Sequence, residues 1–537
     1  MEVINKMNEK QLQDKINGTI WAACDTLRSS IPGGNYKDYA LVMLFVKYLS
    51  DTYKEEKEKA EELYKGNKQM IERYLSRSKF ILREECTFDY LYSKRNEDNI
   101  GEIINKALET ITTLNGVKLL NLFAGVDFNS EVVFGKKKEK NAILKTLLAD
   151  FNNNDIDLRP SKIGNLDVIG NAYEYLIARF AGDSGKKGGE FYTPAEVSTL
   201  LAKLVEPKEN DRIYDPACGS GSLLLKAAKE VKDKKVSVYG QESNSSTYNL
   251  CRMNMFLHGV NDAHIEWGDT LANPLHLEND DLMKFDVIVS NPPFSLDKWA
   301  KGFEPSNSTI INDGKKKDTF KMEASMDRYN RFEYGVPPKS IGDYAFIQHM
   351  LKSLAKEDGR MAVVLPHGAL FRGASEGIIR KNILEDNLID AVIGLPENLF
   401  YGVSIPATIV VLKKNRDREN VLFIEASREY EKGKNQNRLT NENIQKILNT
   451  YKNYEEVEKY SHVATMDEIK ANEYNLNIKR YVDTFEEEEE IDIEETKKNI
   501  EKINKELQVL EKELQESLKE FGVIGEVKWK RKIKKLS

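Results

Sequence analysis

The stretch SNPPF at residues 290–294 combines residue types that can hold a flat ring bearing an amino group. It follows a largely apolar run at residues 285–289, which predicts a buried strand of a parallel sheet. The two prolines stop strand hydrogen bonding and hold Asn291 and Phe294 in a stiff turn. Open α/β sheets bind ligands beyond the carboxyl ends of their strands, which favours a ligand site here. Taken alone, the stretch fits equally well a turn that ends the strand and buries Phe294.

Acidic residues follow the three strands predicted before Asn291. They are Asp215, Glu242 and Asp269. A carboxylate in the first strand-to-helix loop repels pyrophosphate but suits a ligand with an ammonium group. Glu242 is placed to bind ribose hydroxyls, as acidic residues do in nucleotide folds, and Asp269 can accept from an adenine amino group. A ligand with an ammonium, a ribose and an adenine but no phosphate is S-adenosylmethionine, so this ordered set indicates that cofactor.

Two glycines, Gly219 and Gly221, lie in the loop DPACGSG at residues 215–221. Glycine lets the backbone approach a ligand closely and make a sharp turn from strand to helix. The start of the following helix offers unpaired N–H groups. Because the loop begins with an acidic residue and has a single GxG, it differs from the dinucleotide fingerprint GxGxxG.

A helix is predicted at residues 196–204, with Thr193 as its N-cap and Pro194 in its first position. The plain interpretation is a capped helix after a flexible loop rich in glycine and lysine. The functional interpretation adds the adjacent aromatic residues Phe191 and Tyr192, which could form the wall of a purine site.

Two kinds of predicted structure position these residues. Residues 1–165 show the apolar spacing of helices, whereas strands alternate with helices from residue 211. This alternation predicts an α/β fold with a doubly wound, parallel-type, Rossmann-like sheet behind an all-helical N-terminal domain. The segment at residues 298–338 is long and polar, as functional or disordered loops are.

The chain is predicted to be polar and helical after residue 427. Apolar residues then follow at spacings of 3, 4, 3 and 4, at Ile500, Ile503, Leu507, Leu510 and Leu514. This heptad seam predicts a coiled-coil-like helix whose narrow apolar stripe needs a partner helix. The partner is either another chain or the N-terminal helices of this one. An acidic run at residues 486–490 precedes the helix, and a basic tail at residues 528–535 follows it.

The composition excludes several classes of function. The formal net charge is −7, whereas a protein that holds DNA alone is usually basic, so any DNA contact is local or shared with a partner. The four cysteines and six histidines are scattered, which predicts reduced thiols in a cytoplasmic protein and no metal site. The sequence has no GxxxxGK[ST] phosphate loop and no apolar run that could span a bilayer, so we expect neither an ATP-driven motor nor a membrane protein.

Several motifs together resemble a known family. DPACGSG followed by SNPPF resembles the amino-group DNA methyltransferases, and EFYTPAEV at residues 190–197 is similar to their N-terminal cofactor motif. The segments at residues 35–51, 394–412 and 475–485 resemble the modification subunit of type I restriction–modification systems. The resemblance covers nearly the whole chain, with the motifs in the expected order. It implies an adenine-N6 DNA methyltransferase subunit with a Rossmann-like methyltransferase sheet.

The resemblance also implies site residues. The catalytic motif is Asn291, Pro292, Pro293 and Phe294. Contacts to S-adenosyl-L-methionine are expected from Glu190, Phe191, Tyr192, Thr193, Pro194, Ala195, Gly219, Ser220, Gly221, Ser222 and Glu242, with Asp215 and Asp269 added from the strand-end argument.

Further implications concern domains and partners. The expected domains are a helical N-terminal domain at 1–165, the methyltransferase domain at 166–427, a helical extension at 428–485, and a partner-binding helix with a basic tail at 486–537. Two copies would assemble with one DNA-specificity subunit, and a restriction subunit could join them. The substrate would be duplex DNA with the target adenine flipped out of the helix.

Two alternatives stand beside this hypothesis. Protein-glutamine N5 methyltransferases also use an NPP-aromatic motif on an amide nitrogen, but the helical N-terminal domain, EFYTP and the heptad helix argue against them. A catalytically silent subunit that only clamps DNA is disfavoured by intact SNPPF and DPACGSG motifs.

Overall fold

The computed structural model describes residues 9–31, 36–163, 166–183, 192–303, 309–312, 315–318, 321–402, 404–434, 436–484 and 493–520. The predicted cofactor residues Glu190 and Phe191, the acidic run and the basic tail lie outside this described part. The chain divides into two compact units, Met1–Asp483 and Thr484–Ser537. Within the described ranges, no helix combines the length and apolar character needed to cross a membrane.

The first unit begins with helices, as predicted. All but the fourth of them bury apolar side chains, and the longest, α3, is buried on every side from Tyr39 to Asp51. The helices are α1 (Glu9–Ala23), α2 (Asp25–Ser30), α3 (Tyr36–Tyr64), α4 (Lys68–Leu75), α5 (Phe88–Ser93), α6 (Ile100–Asn115), α7 (Glu131–Phe134), α8 (Lys137–Phe151), α9 (Pro160–Ile163) and α10 (Leu166–Asp183).

The rest of the first unit alternates strands with helices. The strands are β1 (Arg212–Asp215), β2 (Ser237–Glu242), β3 (His264–Trp267), β4 (Leu277–Glu278), β5 (Asp281–Leu282), β6 (Val287–Ser290), β7 (Thr309–Asn312), β8 (Lys315–Asp318), β9 (Arg360–Pro366), β10 (Ile389–Gly394), β11 (Ala407–Lys413), β12 (Val421–Glu425), β13 (Glu431–Lys432), β14 (Asn437–Arg438) and β15 (Ser461–Ala464). The helices are α11 (Ala195–Val205), α12 (Ser222–Lys229), α13 (Ser245–Leu257), α14 (Asp343–Ser353), α15 (Ala374–Glu385), α16 (Asn441–Asn453) and α17 (Met466–Ala471).

A nine-stranded sheet carries the site, in the order β15-β12-β10-β11-β9-β6-β1-β2-β3. The strands from β9 to β3 are parallel, so Asp215, Glu242 and Ser290 end their strands at one edge, the carboxyl edge. The chain order reverses between β1 and β6, and such a switch point opens a ligand crevice in α/β sheets. The predicted doubly wound, Rossmann-like sheet is confirmed.

Two strands depart from the predicted parallel pattern. β11 pairs antiparallel with both β9 and β10, and β15 pairs antiparallel with β12. Since Gly394 at the end of β10 pairs with Thr408 at the start of β11, the loop at residues 395–406 lies at the carboxyl edge. The sequence predicts where β11 lies but not its direction, because an apolar run looks the same in either direction.

The helical region shares its core with a helix that flanks the sheet. Phe256 of α13 lies 6.3 Å from Phe45 and 5.8 Å from Phe80, measured between ring centroids. Aromatic side chains bury large apolar areas, so these contacts fix α13 against the helical region.

The region at residues 428–484 is only partly the predicted helical extension. It contains α16 and α17, but also the β13–β14 hairpin and β15, which extends the sheet beside β12. Tyr481 closes this region over β12, with its ring 3.9 Å from that of Phe423. The prediction missed β15 because the four residues SHVA carry little pattern, and their pairing with β12 sets their conformation.

The second unit contains the predicted heptad helix as α18 (Ile493–Glu520). The five seam residues, Ile500, Ile503, Leu507, Leu510 and Leu514, are 40% to 63% exposed. Within this unit the seam is therefore an exposed apolar surface.

Candidate active site

Asp215 ends β1 and is buried, with 2% of its surface exposed. Its Oδ1 accepts the backbone N–H of Ala217 at 3.0 Å, which turns the chain out of the strand. Burial disfavours the charged form and raises the pKa of this carboxyl group to about 7. A cationic ligand group beside Asp215 would lower this pKa and favour the ionised carboxylate.

The glycine loop makes the sharp turn that the sequence predicts. Gly219 and Gly221 have φ angles of 54° and 78°, which strain residues with a side chain. Gly221 also packs against α13, because a Cβ atom there would lie 2.6 Å from Met255 Cε and 2.7 Å from Cys251 Sγ. Glycine at position 221 is therefore required by both backbone conformation and packing.

Two serines of the loop lead into helix α12. Ser220 and Ser222 are buried, and their hydroxyl oxygens are 3.4 Å apart. Asn254 of α13 donates to the Ser220 carbonyl at 3.0 Å, which fixes the loop from the helix side. Since α12 begins at Ser222, its unpaired N–H groups adjoin the loop.

Glu242 ends β2 and is bonded directly to the glycine loop. Its Oε2 accepts the N–H of Gly219 at 3.0 Å, and its Oε1 accepts the N–H of Asn244 at 2.8 Å. Burial raises the pKa of Glu242. A carboxylate can accept more than one bond per oxygen, so both oxygens can still accept from ligand hydroxyls. Asp269, after β3, is exposed, and its Oδ1 accepts the N–H of Leu271 at 2.9 Å.

One hydrogen bond crosses the switch point of the sheet. The Ser290 hydroxyl at the end of β6 donates to Asp215 Oδ1 at 2.7 Å, and both residues are buried. The loop that begins with Asp215 and the loop that begins with Asn291 are therefore held at a fixed spacing.

Asn291 follows β6 directly and is held through one end of its side-chain amide. Its Nδ2 donates to the Thr193 hydroxyl at 3.0 Å. Its Oδ1 is buried and makes no hydrogen bond with the described residues. A buried acceptor without a hydrogen bond costs about 1–3 kcal/mol. A bound ligand that donates to Oδ1 would supply the missing bond. Of the two prolines in the turn, Pro292 is buried and Pro293 is exposed to solvent.

The predicted capping role of Thr193 is wrong. Helix α11 begins at Ala195 with Pro194 at the cap position, and no side-chain cap bond is made. The Thr193 hydroxyl instead accepts from Asn291, far away in the sequence. Local sequence rules describe the competition between neighbours and do not include such a distant partner.

Aromatic rings meet beside the SNPPF turn. Phe294 is half-buried and lies 5.9 Å from Phe400 in an edge-to-face arrangement. Tyr192 lies 5.9 Å from Tyr401. Phe400 and Tyr401 belong to the loop at residues 395–406, and sequence reasoning missed their place in the site. Their place in the site follows from the antiparallel direction of β11, which brings that loop to the carboxyl edge and which the sequence pattern does not show.

A buried ion-pair network supports the far end of the turn and was also missed. The N–H of Ser295 donates to Asp343 Oδ1 at 2.7 Å. Asp343 pairs with Arg372, which also donates to Glu376 at 3.0 Å. Ser295 has a φ of 51°, so this bond holds a strained residue in place.

A second network supports the loop after β3. Arg331, which is 1% exposed, donates to the carbonyl of Thr270 at 3.2 Å and to that of Leu271 at 2.7 Å. Asp327 balances its charge at 2.8 Å. The segment at residues 298–338, predicted to be a functional or disordered loop, thus contributes an anchor for the strand end that carries Asp269.

The site residues fit S-adenosylmethionine. Glu242 is hydrogen-bonded to Gly219 of the glycine loop, Asp215 is hydrogen-bonded to Ser290, and Asp269 follows the next strand. Carboxylates at these adjacent strand ends suit an ammonium, ribose hydroxyls and an adenine amino group, and they repel phosphate.

Comparisons with known proteins identify the family. The family model for N-6 DNA methylases matches residues 164–490, and that for the HsdM N-terminal domain matches residues 16–151. The MpnII methylase subunit of a type I restriction enzyme from Mycoplasma pneumoniae is 35% identical over 529 residues, covering 90% of this chain and 93% of the relative. The MjaVII methylase subunit from Methanocaldococcus jannaschii is 35% identical over 509 residues, covering 91% of this chain and 81% of the relative.

A solved structure agrees with these relatives. The type I restriction-modification system methyltransferase subunit from Streptococcus thermophilus superposes with a TM-score of 0.75 at 34% identity, covering 88% of this chain and 100% of that one. These comparisons support neither protein-glutamine methylation nor a catalytically silent clamp. The chain belongs to the methylase subunits of type I restriction enzymes, adenine-specific DNA methyltransferases that use S-adenosyl-L-methionine.

Proposed function

We propose that Asn291 and Pro292 bind the amino group of an adenine that has left the duplex, and present its N6 atom for methylation. The observation that carries this proposal is the buried Asn291 Oδ1 without a hydrogen-bond partner among the described residues. An adenine N6–H donated to that atom would complete the bond. The Pro292 carbonyl would accept the second N6 hydrogen.

The two proposed acceptors, Asn291 Oδ1 and the Pro292 carbonyl, would make adenine N6 a better nucleophile. Bonds from both N6 hydrogens draw the nitrogen out of conjugation with the ring and localise its lone pair. S-adenosyl-L-methionine, when bound, would supply a methyl group on a positively charged sulfur. The N6 lone pair would attack the methyl carbon, the carbon–sulfur bond would break with its electrons going to sulfur, and the methylated nitrogen would then lose one proton to water. No base is needed beforehand, because the nitrogen becomes acidic only after it is methylated. Positioning and electrostatics therefore provide most of the acceleration.

The aromatic rings beside the turn would hold the base. Flipping a base costs a few kcal/mol of unstacking, which a protein recovers by stacking its own rings on the extruded base. Phe294 would stack on the adenine, and Phe400 supports Phe294 edge-to-face. The two rings thus keep the base in the plane that Asn291 requires.

The cofactor would occupy the other half of the crevice. Asp215 would face the ammonium, Glu242 the ribose hydroxyls and Asp269 the adenine amino group. Residues of the glycine loop, Gly219 to Ser222, would contact it through the backbone, with the stretch at residues 190–195 alongside. Support comes from the acidic strand ends and from the strained glycine turn.

We further propose that this chain works inside a larger assembly in the cytoplasm. With a net charge of −7 it is poorly suited to hold DNA by itself. A specificity subunit would read the DNA sequence, two copies of this chain would bind it, and a restriction subunit could join. The open apolar seam of α18 supports a docking role for the C-terminal unit, which we place at residues 486–537 beyond the proposed domains at 1–165, 166–427 and 428–485.

The test is Asn291→Ala in the complex with its specificity subunit. Methyl transfer to duplex DNA, measured as labelled N6-methyladenine, should fall by at least about 100-fold because an acceptor for N6 is lost. Affinity for S-adenosylhomocysteine, measured by calorimetry, and assembly of the complex should remain those of the unchanged protein. Normal transfer by the variant would refute the assignment.

A further inference from the structure

We propose that the hydroxyl of Thr193 is a positioning group for methyl transfer that acts through the side chain of Asn291, whereas the cofactor contact expected of Thr193 is made by its backbone. Its hydroxyl holds the Asn291 amide so that Oδ1, and not Nδ2, faces the adenine. This inference rests on the proposed function of Asn291.

The amide of asparagine has two ends of similar shape but opposite chemistry. Oδ1 accepts hydrogen bonds, whereas Nδ2 only donates them. Adenine N6 also donates, so an amide turned the other way would set donor against donor. A catalytic asparagine therefore needs a group that fixes which end points at the base.

The contact with Thr193 provides that group. Asn291 Nδ2 donates to the Thr193 hydroxyl at 3.0 Å, which leaves Oδ1 as the end without a partner. If the amide turned over, the hydroxyl could donate to Oδ1, but both N–H groups would then face the adenine amino group, which offers them no acceptor. Each unmade buried bond is costly, so the observed orientation is the favoured one.

Thr193 is itself held firmly. It is 9% exposed, and Pro194 follows it with a fixed backbone conformation at the start of α11. The Ser198 N–H donates to the Pro194 carbonyl at 2.9 Å, which ties this backbone to the first turn of the helix. A β-branched side chain has few rotamers, so the hydroxyl stays where Asn291 needs it. It is also not used as a helix cap, which leaves it available for this role.

Two substitutions separate the hydroxyl from the shape of the side chain. Thr193→Val keeps the branched shape and removes the acceptor, whereas Thr193→Ser keeps the hydroxyl. In the assembled complex with target DNA, the valine variant should lose about 10- to 100-fold in kcat, as expected for a misplaced reacting group. Its KM for S-adenosylmethionine, and its Kd for S-adenosylhomocysteine by calorimetry, should stay within about twofold of the unchanged protein. The serine variant should restore kcat to within about threefold.

Three results would overturn the inference. One is a valine variant with unchanged kcat. Another is a loss of cofactor affinity that accounts for the whole loss of kcat/KM, which would make the Thr193 hydroxyl a cofactor ligand. The third is a serine variant as slow as valine although thermal melting shows both folded. If Asn291→Ala transfers methyl groups normally in the same assay, the proposed function of Asn291 fails instead, so the two failures are distinguished.

Discussion

Asp215 is a site residue whose ionisation is strongly altered by the fold. Burial raises its pKa from an ordinary 3.8 to about 7. Between these values the folded protein keeps a proton that the unfolded chain has lost. The contribution of Asp215 to stability is therefore full below about pH 4 and disappears as the pH rises through 7.

Asp215→Asn should remove this dependence. The amide oxygen can still accept from Ser290, so the link across the switch point is kept. We expect the free energy of unfolding of the cofactor-free protein to fall less between pH 4 and pH 7 in the variant than in the unchanged chain. Urea denaturation at a series of pH values measures this, and parallel pH profiles for the two proteins would contradict it.

Single residues also show how far sequence reasoning reaches. Asn291, Asp215 and Glu242 were predictable because each directly follows a strand with a clear apolar pattern, and the fold places strand ends together. The roles of Thr193 and Phe400 were not. The partner of Thr193 is far away in the sequence, and the position of Phe400 depends on the direction of β11, which the pattern of a strand does not contain.

At the scale of elements, Gly221 lies directly before α12 and packs against α13. Gly221 leaves no room for a Cβ atom against Met255 and Cys251, and its φ is 78°. Gly221→Ala should destabilise the protein by about 1–3 kcal/mol, through overpacking and backbone strain together. It should also weaken S-adenosylhomocysteine binding, because the loop must shift. Chemical denaturation and calorimetry measure the two effects.

Gly18 offers a matched control. It lies within α1, and a Cβ atom there would meet nothing within 4 Å. Gly18→Ala should therefore stabilise the helix by up to about 1 kcal/mol. Equal effects at both positions would show that the packing at Gly221 does not matter.

Elements were easier to predict than their arrangement. Most strands of the methyltransferase sheet lie where the sequence has short apolar runs, because strands buried on both faces are strongly apolar. The antiparallel β11 and the short β15 were not predictable in the same way. Their direction and pairing come from neighbours in space.

At the scale of the whole molecule, the apolar seam of α18 is the surface that we propose binds the specificity subunit. Leu507→Asp combined with Leu510→Asp places two charges in the seam and should weaken co-purification with the specificity subunit by about 100-fold or more. Val509→Asp is the control, since Val509 is 56% exposed on the same helix but outside the heptad positions. Deleting residues 493–537 should have the same effect as the double variant.

Circular dichroism of each variant would confirm that the helix is retained. Assembly that survives both the double variant and the deletion would show that the specificity subunit binds elsewhere. Loss of assembly in the Val509 variant alone would point to a different face of the helix.

The antiparallel return of β11 has a consequence for how such enzymes diversify. Both ends of the loop at residues 395–406 are anchored at the carboxyl edge, by strands that pair with each other. The loop can therefore change length or composition without shifting any strand. Phe400 lies on it beside Phe294, while the residues proposed to bind the methyl donor lie at other strand ends. The proposed pocket for the base can therefore diverge in evolution while the proposed donor site is kept.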